Sequence, residues 1–148
     1  MGTRSLTVVK DNFWGKNEEV MVMYRQFDGY PEGHGDQLVD FLLSGEGVNG
    51  IPVGSDKLFF NGAGCLAASL VSHFKNGAGG IYLEPSGSRN CGEEYIYEVT
   101  VNADSTLLLK VYSVYAASTP IFEGTPETWN ASEAEKVERA LYGEDEEY

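Results

Sequence analysis

Residues 94–101 alternate polar and apolar side chains so regularly that they restrict the chain to folds that contain a sheet. One face of this extended segment carries the apolar side chains Tyr95, Tyr97, Val99 and Val101. A turn at 102–105 separates it from a second strand-forming run, residues 106–115. Because strands joined by so short a turn pair antiparallel, the pattern predicts an antiparallel meander.

Other segments complete an α+β fold around this meander. Short β-branched or apolar runs predict further strands at residues 4–10, 18–26, 80–84 and 120–124. Helical spacing of apolar residues predicts helices at residues 36–43, 65–75 and 132–142. We therefore expect one domain, residues 1–142, with an antiparallel sheet of about five to six strands packed with two to three helices. Residues 143–148 are predicted to form an acidic C-terminal tail.

Two details of the helices and loops follow from local signals. Ser132 and Glu135 have the spacing of a capping box, and Gly143 stands where a helix commonly ends. The glycine-rich residues 45–64 predict a long irregular loop.

Negative charge is concentrated near the C-terminus. The chain of 148 residues carries a net charge of −13. Residues 93–148 hold three basic and thirteen acidic side chains, a net charge of −10, whereas residues 1–30 hold four of each. A nucleic-acid backbone is bound through a basic surface, so direct binding to nucleic acid is not expected. The near-neutral N-terminal region can still hold a small anion.

Several classes of protein are disfavoured by what the sequence lacks. No apolar run reaches the roughly 18 to 20 residues of a membrane-spanning helix, and the N-terminus has no secretory h-region. The two cysteines, Cys65 and Cys91, do not make a disulfide framework. No Cys/His motif is present, so neither a metal nor another cofactor is expected. The prediction is a soluble, cytoplasmic protein that does not bind membranes.

The segment 24–35, Tyr-Arg-Gln-Phe-Asp-Gly-Tyr-Pro-Glu-Gly-His-Gly, has the highest density of chemically useful groups. Its guanidinium fork suits a carboxylate or phosphate, its phenol rings suit stacking, and its glycines allow close approach of the backbone to a ligand. The glycines and the proline also predict an irregular backbone here. From this segment we predict a ligand-binding site that includes Tyr24, Arg25, Gln26, Asp28, Tyr30 and His34.

A structural explanation of the same residues stays open. A junction between a strand and a helix also needs glycine and proline, Arg25 and Asp28 are able to form an ion pair, and His34 is able to cap the helix. Asp28, Glu32 and Asp36 similarly suit general acid–base catalysis, Mg²⁺ binding or a solvated acidic loop, and the solvated loop is favoured.

Two further positions are expected near this segment. Arg4 lies on the strand predicted to pair with residues 18–26 and is expected beside Arg25, where an anion or a carboxylate would separate the two charges. The alternative is that both arginines are solvated surface side chains. Asn61 opens a glycine-rich turn into a helix, a context that favours phosphate binding. Cys65 in the same turn, together with His34 and Asp28, allows a Cys-His-Asp hydrolase as an alternative.

The segments Met1–Thr7, Tyr24–Gly35 and Asn61–Ala68 resemble a group of small uncharacterised proteins of bacteriophages and prophage-bearing bacteria. The resemblance covers about the first half of the chain and brings no defined activity. It implies a phage setting, in which small proteins counter host defence either by hiding nucleotide signals or by blocking a defence enzyme.

Three functions are consistent with these features. The first is sequestration of a small anionic, nucleotide-like ligand, without catalytic residues. The second is an acidic inhibitor of a host enzyme that mimics nucleic acid. The third is the small hydrolase that uses His34 with Asp28 or Cys65. The partners implied are a small anionic ligand, a host protein and a second copy of the chain.

Overall fold

Eight strands form two sheets in the structure, a computed structural model that describes residues 2–47, 58–116 and 119–145. The strands are β1 (Ser5–Asn12), β2 (Glu18–Arg25), β3 (Gly45–Gly47), β4 (Leu58–Phe60), β5 (Ile81–Glu84), β6 (Tyr95–Asn102), β7 (Leu107–Ser113) and β8 (Phe122–Gly124). The described helices are α1 (Asp36–Leu43), α2 (Gly62–Phe74) and α3 (Ala131–Asp145). A π-helical turn (Pro31–Gly35) leads into α1, and single 3-10 turns occupy Val114–Ala116 and Pro126–Thr128.

The main sheet has six strands in the order β5-β2-β1-β6-β7-β8. This architecture confirms the α+β class, a sheet of about five to six strands and the accompanying helices. It also differs from the expectation in one respect, because β1 and β6 pair parallel, with Ser5 opposite Tyr95, while the remaining neighbours pair antiparallel. A parallel pair needs a long crossover, which the intervening chain with α1 and α2 provides.

The helices cover one face of the main sheet and enclose the core with it. Val9, Met23, Tyr97 and Leu109 project from the strands into this core, where they are joined by Leu38 of α1 and by Leu66 and Leu70 of α2. The opposite face carries a smaller cluster built on Leu6, Val8 and Val22. Side chains in a strand alternate between faces, so odd-numbered residues of β1 point toward the helices and even-numbered residues point away.

The ends of the helices partly differ from the sequence-based expectation. The bounds of α1 are as predicted, whereas α2 begins three residues earlier than predicted, at Gly62. Asn130 caps α3 in place of Ser132, since its Oδ1 accepts a hydrogen bond of 3.1 Å from the backbone N–H of Glu133. The helix also continues through Gly143 to Asp145, and residues 146–148 of the predicted tail lie outside the described residues.

The segment 45–64 is more regular than expected. β3 and β4 pair parallel within it, and the first turn of α2 begins there. Residues 48–57 of the predicted loop lie outside the described residues. Among the helices that the structure describes, none has both the length and the apolar character needed to cross a membrane.

Candidate functional site

A cleft of about 400 Å³ opens where the end of β2 meets α1, the C-terminal end of α2 and the loop that follows α2. We call it the Arg25 cleft. The described residues that line it are Arg25, Phe27, Gln37, His73, Phe74, Asn76, Gly79, Gly80 and Ile81. Its volume lies in the range of small-molecule sites. No carboxylate is among these lining residues, although the chain as a whole is strongly acidic.

Arg25 is held firmly at the wall of this cleft. As the last residue of β2 it pairs with Ser5 and Ile81, on the helix-facing side of the sheet. Its Nη1 donates hydrogen bonds to Nδ1 of His34, at 2.9 Å, and to Oε1 of Gln37, at 2.8 Å. The guanidinium carbon also lies 5.5 Å from the centre of the Phe74 ring, within range of a cation–π interaction. Half the guanidinium is thereby fixed by the protein itself.

His34 holds Arg25 in place from the buried side of the cleft wall. Its side chain is fully buried, and its Nε2 lies 2.6 Å from Oγ1 of Thr7. Because a guanidinium can only donate, Nδ1 of His34 accepts from Arg25 and the ring proton sits on Nε2, which donates to Thr7. Burial, reinforced by the charge of Arg25, lowers the pKa of His34 to about 3. The imidazole is therefore neutral at physiological pH and serves to position Arg25.

The turn that carries His34 is π-helical, which corrects the expectation of an irregular backbone for residues 31–35, whereas residues 26–30 are irregular as expected. Asp28 adopts a left-handed conformation, with φ of 61°, and its carbonyl accepts a hydrogen bond of 2.7 Å from the N–H of His34. Tight contact explains the glycines on either side of His34. A Cβ on Gly33 would lie 2.5 Å from that carbonyl oxygen, and one on Gly35 would lie 2.6 Å from the Trp129 ring.

Aromatic rings form much of the remaining surface of the Arg25 cleft. Phe27 is 55% exposed and Phe74 is half-buried, with its ring 4.8 Å from that of His34. The ring of His73 stacks on Phe41 with centroids 4.4 Å apart. These faces are suited to a planar ring of a ligand.

A glycine-rich loop closes one side of the cleft. Gly79 and Gly80 both have φ of 77°, which side-chain-bearing residues rarely adopt. The loop is nevertheless fixed, since the ammonium group of Lys75 donates to the carbonyls of Gly79, at 3.1 Å, and Ile81, at 2.8 Å. The N–H of Gln26 donates to the carbonyl of Gly80, at 2.8 Å. The backbone can thus approach a ligand without a side chain in between.

The structure separates two predicted residues from the Arg25 cleft by the thickness of the sheet. Arg4 does not lie beside Arg25, because Ser5 is the strand partner of Arg25 and the neighbouring side chain points to the other face. Consistent with this, Nη1 of Arg4 lies 3.2 Å from the position that a Cβ on Gly92 would take. Tyr24 lies on that face as well, and its hydroxyl donates to Oε1 of Gln26, at 2.6 Å.

Other predicted residues lie near the cleft or far from it. Asp28 and Tyr30 lie between β2 and the π-helical turn, and neither lines the cleft. Burial lowers the pKa of Arg25, and the charge of Asp28 partly offsets that shift. Asn61 precedes α2, whereas the cleft lies at the other end of this helix. A helix of its length spans about 20 Å, so Asn61 lies far from the Arg25 cleft, and Cys65, in the first turn of the helix, lies outside the cleft lining.

The described structure does not bring His34, Asp28 and Cys65 together in the arrangement that the hydrolase alternative requires. Both ring nitrogens of His34 are engaged, and the contact of Asp28 with His34 runs through the backbone. Cys65 lies at the far, N-terminal end of α2. Among the described residues, no group of three or more His, Cys, Asp or Glu side chains is arranged to hold a metal ion.

Sequence reasoning missed Phe27, Gln37, His73, Phe74 and Asn76. The only signal for His73 and Phe74 is their place at the C-terminal end of the apolar stripe of α2, just before a glycine-rich loop. Compared with protein-family models, with curated proteins and with solved structures, the chain matches none of them.

Proposed function

We propose that the protein binds and sequesters a small anionic ligand that carries a planar ring, of nucleotide type, in the Arg25 cleft. The observation that carries this proposal is a guanidinium held half-buried at the wall of an aromatic-lined cleft whose described lining has no carboxylate. The phage setting implied by the sequence resemblance supplies a role for such binding, namely removal of a nucleotide signal of the host's defence.

Three kinds of group in the Arg25 cleft are proposed to recognise the ligand: a guanidinium, aromatic rings and side-chain amides. Both hydrogen bonds of Arg25 use Nη1, so Nη2 and Nε make no hydrogen bond with the residues that the structure describes. They are available to a phosphate or carboxylate, the anions that match a guanidinium fork. Phe27 and Phe74 offer faces for a base or other ring, while the amides of Gln37 and Asn76 offer donors and acceptors for its edge.

Binding without cleavage fits the groups present. A nucleophile with an adjacent base is the usual requirement for a covalent hydrolase. His34 is neutral and enclosed, with both nitrogens engaged, and Cys65 lies in the first turn of α2, nine residues before Phe74. The geometry therefore favours a binding protein over the hydrolase alternative.

The acidic-inhibitor alternative receives less support from the structure. Several carboxylates among the described residues after position 92 make hydrogen bonds or ion pairs within the protein. Glu98 pairs with Lys10 at 3.3 Å, Glu123 pairs with Lys110 at 3.9 Å, and Glu138 accepts from Tyr95 at 3.0 Å.

Isothermal titration against cyclic dinucleotides, cyclic mononucleotides and ADP-ribose derivatives tests the proposal. We expect one class to bind, and Arg25→Lys to weaken its binding about tenfold or more, because an ammonium group keeps the charge but loses the fork. Lys16→Gln is a matched control. Lys16 is exposed in the loop at the other end of the β1–β2 hairpin, and its loss should change affinity less than about twofold, which isolates the site from general electrostatics.

Two outcomes contradict the proposal. One is the absence of heat from every nucleotide with a wild-type protein whose circular dichroism shows it to be folded. The other is equal weakening by Arg25→Lys and Lys16→Gln. Chromatography of the ligand after long incubation separates sequestration from hydrolysis, and we expect recovery of the intact ligand.

A further inference from the structure

A second cleft, of about 300 Å³, lies where β6, the 3-10 turn after β7 and α3 meet. We call it the tyrosine cleft. Its described lining consists of Tyr95, Tyr115, Glu138, Arg139 and Tyr142. None of these residues lines the Arg25 cleft, and the function proposed above does not use them. The cleft therefore combines three phenol rings and a carboxylate in one concave site, a set of groups suited to binding a ligand.

The rings form walls at right angles. Tyr115 and Tyr142 have centroids 5.9 Å apart and an interplanar angle of 89°. Tyr95 lies deeper and is only 8% exposed, whereas Tyr142 is 42% exposed at the rim. The faces of aromatic rings carry negative potential, so several rings around one space attract a cation.

Carboxylates strengthen this potential. The hydroxyl of Tyr95 donates to Oε1 of Glu138 at 3.0 Å, and Ser113 donates to the other oxygen of that carboxylate. The hydroxyl of Tyr115 donates to Oε1 of Glu94 at 2.8 Å. A phenol that donates to a carboxylate remains neutral and becomes more electron-rich, because neighbouring hydrogen bonds polarise one another. Burial and Glu138 raise the pKa of Tyr95 accordingly.

We propose that the tyrosine cleft is a binding site for an alkylated ammonium group, held by the faces of Tyr115 and Tyr142 over the carboxylate of Glu138. Such a cation is poorly hydrated, and aromatic rings recognise it better than they recognise a primary ammonium group. The volume suits a small head group. Arg139 at the rim is the one cationic side chain in the described lining, and its charge opposes binding.

Titration of the full chain with choline and with its neutral isostere, 3,3-dimethyl-1-butanol, tests the proposal. The two molecules share shape, so a cation site binds choline at least about tenfold more tightly, while a merely apolar cleft binds both alike. N-acetyl-trimethyllysine amide tests whether the ammonium group is borne by a protein. The tighter binder of the two cations identifies the source, and binding of neither overturns the proposal.

A matched pair of variants locates the site. Tyr142→Phe keeps the ring face, and we expect choline affinity within about twofold of wild type. Tyr142→Leu keeps apolar bulk but removes the ring, and we expect a loss of about fivefold or more. Because Tyr142 is exposed at the end of α3, both variants should fold, which circular dichroism checks. Equal affinities of the two variants would overturn the role of the ring.

Arg139→Gln gives an independent test, because it should raise choline affinity whereas Tyr142→Leu should lower it. Removing a like charge from the rim should tighten choline binding, by roughly twofold to fivefold at low salt, and the gain should shrink as salt is added. Weaker choline binding by this variant would show that Arg139 belongs to the recognition surface, which contradicts a cation site.

Discussion

The hydroxyl of Thr7 lies 2.6 Å from Nε2 of His34, inside the layer between the sheet and the helices. Thr7 and Tyr97 are opposite each other on β1 and β6, and the ring of His34 lies 5.0 Å from that of Tyr97. The imidazole of His34 is thus held in place by Thr7 and Tyr97 at the centre of the sheet. Its Nδ1 in turn accepts the hydrogen bond that positions Arg25. The position of the guanidinium in the Arg25 cleft depends on a buried polar chain that starts at Thr7.

Thr7→Val tests this chain, because valine keeps the shape and removes the acceptor. The Nε2 proton of His34 is then buried without a partner, and we expect the free energy of unfolding to fall by about 1–3 kcal/mol. Thr7→Ser keeps the hydroxyl, loses one methyl group and serves as the control. In urea unfolding, equal losses for the two variants would show that the hydrogen bond contributes nothing.

His34 makes stability depend on pH. Its folded-state pKa of about 3 lies below the unfolded value of about 6.5, so between these values the unfolded chain binds more protons than the folded chain. The contribution of neutral His34 to the free energy of unfolding is fully present above pH 6.5. It is lost as the pH falls toward 3, at up to about 1.4 kcal/mol per pH unit.

His34→Gln isolates this dependence. At pH 7 the variant should be less stable than wild type, since its amide does not reproduce both hydrogen bonds. We expect the difference in unfolding free energy to narrow as the pH falls from 6.5 to 4.5, measured by urea unfolding at several pH values. A constant difference across this range is incompatible with a neutral, buried imidazole.

Two glycines in helical segments should respond oppositely to alanine. A Cβ at Gly33 would lie 2.5 Å from a backbone oxygen, which cannot move aside like a flexible side chain, so Gly33→Ala should destabilise by roughly 1–3 kcal/mol. A Cβ at Gly64, in the first turn of α2, meets nothing within 4 Å. Gly64→Ala should therefore stabilise by about 0.5–1 kcal/mol, because alanine has less backbone entropy to lose. Thermal unfolding of the two variants decides, and the same sign for both would contradict the packing described around Gly33.

Glu135 of α3 provides a test with the opposite pH dependence. Partial burial, and then a hydrogen bond with the carboxyl of Glu32, raise its pKa. The folded protein therefore holds this proton more tightly than the unfolded chain, and the associated stability is lost as the pH rises through the folded pKa. Glu135→Gln should raise the melting temperature at pH 7 but not below about pH 4.

Glu133→Gln is the control for that prediction. Glu133 pairs with Lys136 at 3.3 Å in the first turn of α3, where a negative charge is favourable. Its neutralisation should leave the melting temperature at pH 7 unchanged or slightly lower. A rise equal to that of Glu135→Gln would mean that general charge repulsion, and not the Glu32 contact, is responsible.

The elements were largely predictable, because each depends on a local pattern. The alternation from Tyr95 to Val101 gives β6, and the stripe of Leu38 and Leu42 gives α1 with its observed bounds. A local period fixes which face a residue takes, but it does not say which strand lies alongside. The parallel pairing of β1 with β6 was therefore outside the reach of the sequence.

The candidate site was predictable only where it is local. Arg25 and His34, nine residues apart, were expected together and lie in contact. Arg4 was expected with them, but a shift of one residue in strand register moves a side chain to the other face. Phe74 and Asn76 join the cleft through the packing of α2 on the sheet, a long-range relation that spacing along the chain does not encode.

The parallel pairing of β1 with β6 also has a kinetic consequence. Every rung from Ser5–Tyr95 to Asn12–Asn102 closes a loop of 90 residues, so the central pair of the sheet forms against a large entropic barrier and folding should be slow. During synthesis at about 5–20 residues per second, β1 waits roughly 5 to 20 s for its neighbour to be made. Through that interval one edge of the first hairpin stays open, and the newly made chain is then most exposed to aggregation and to capture by chaperones.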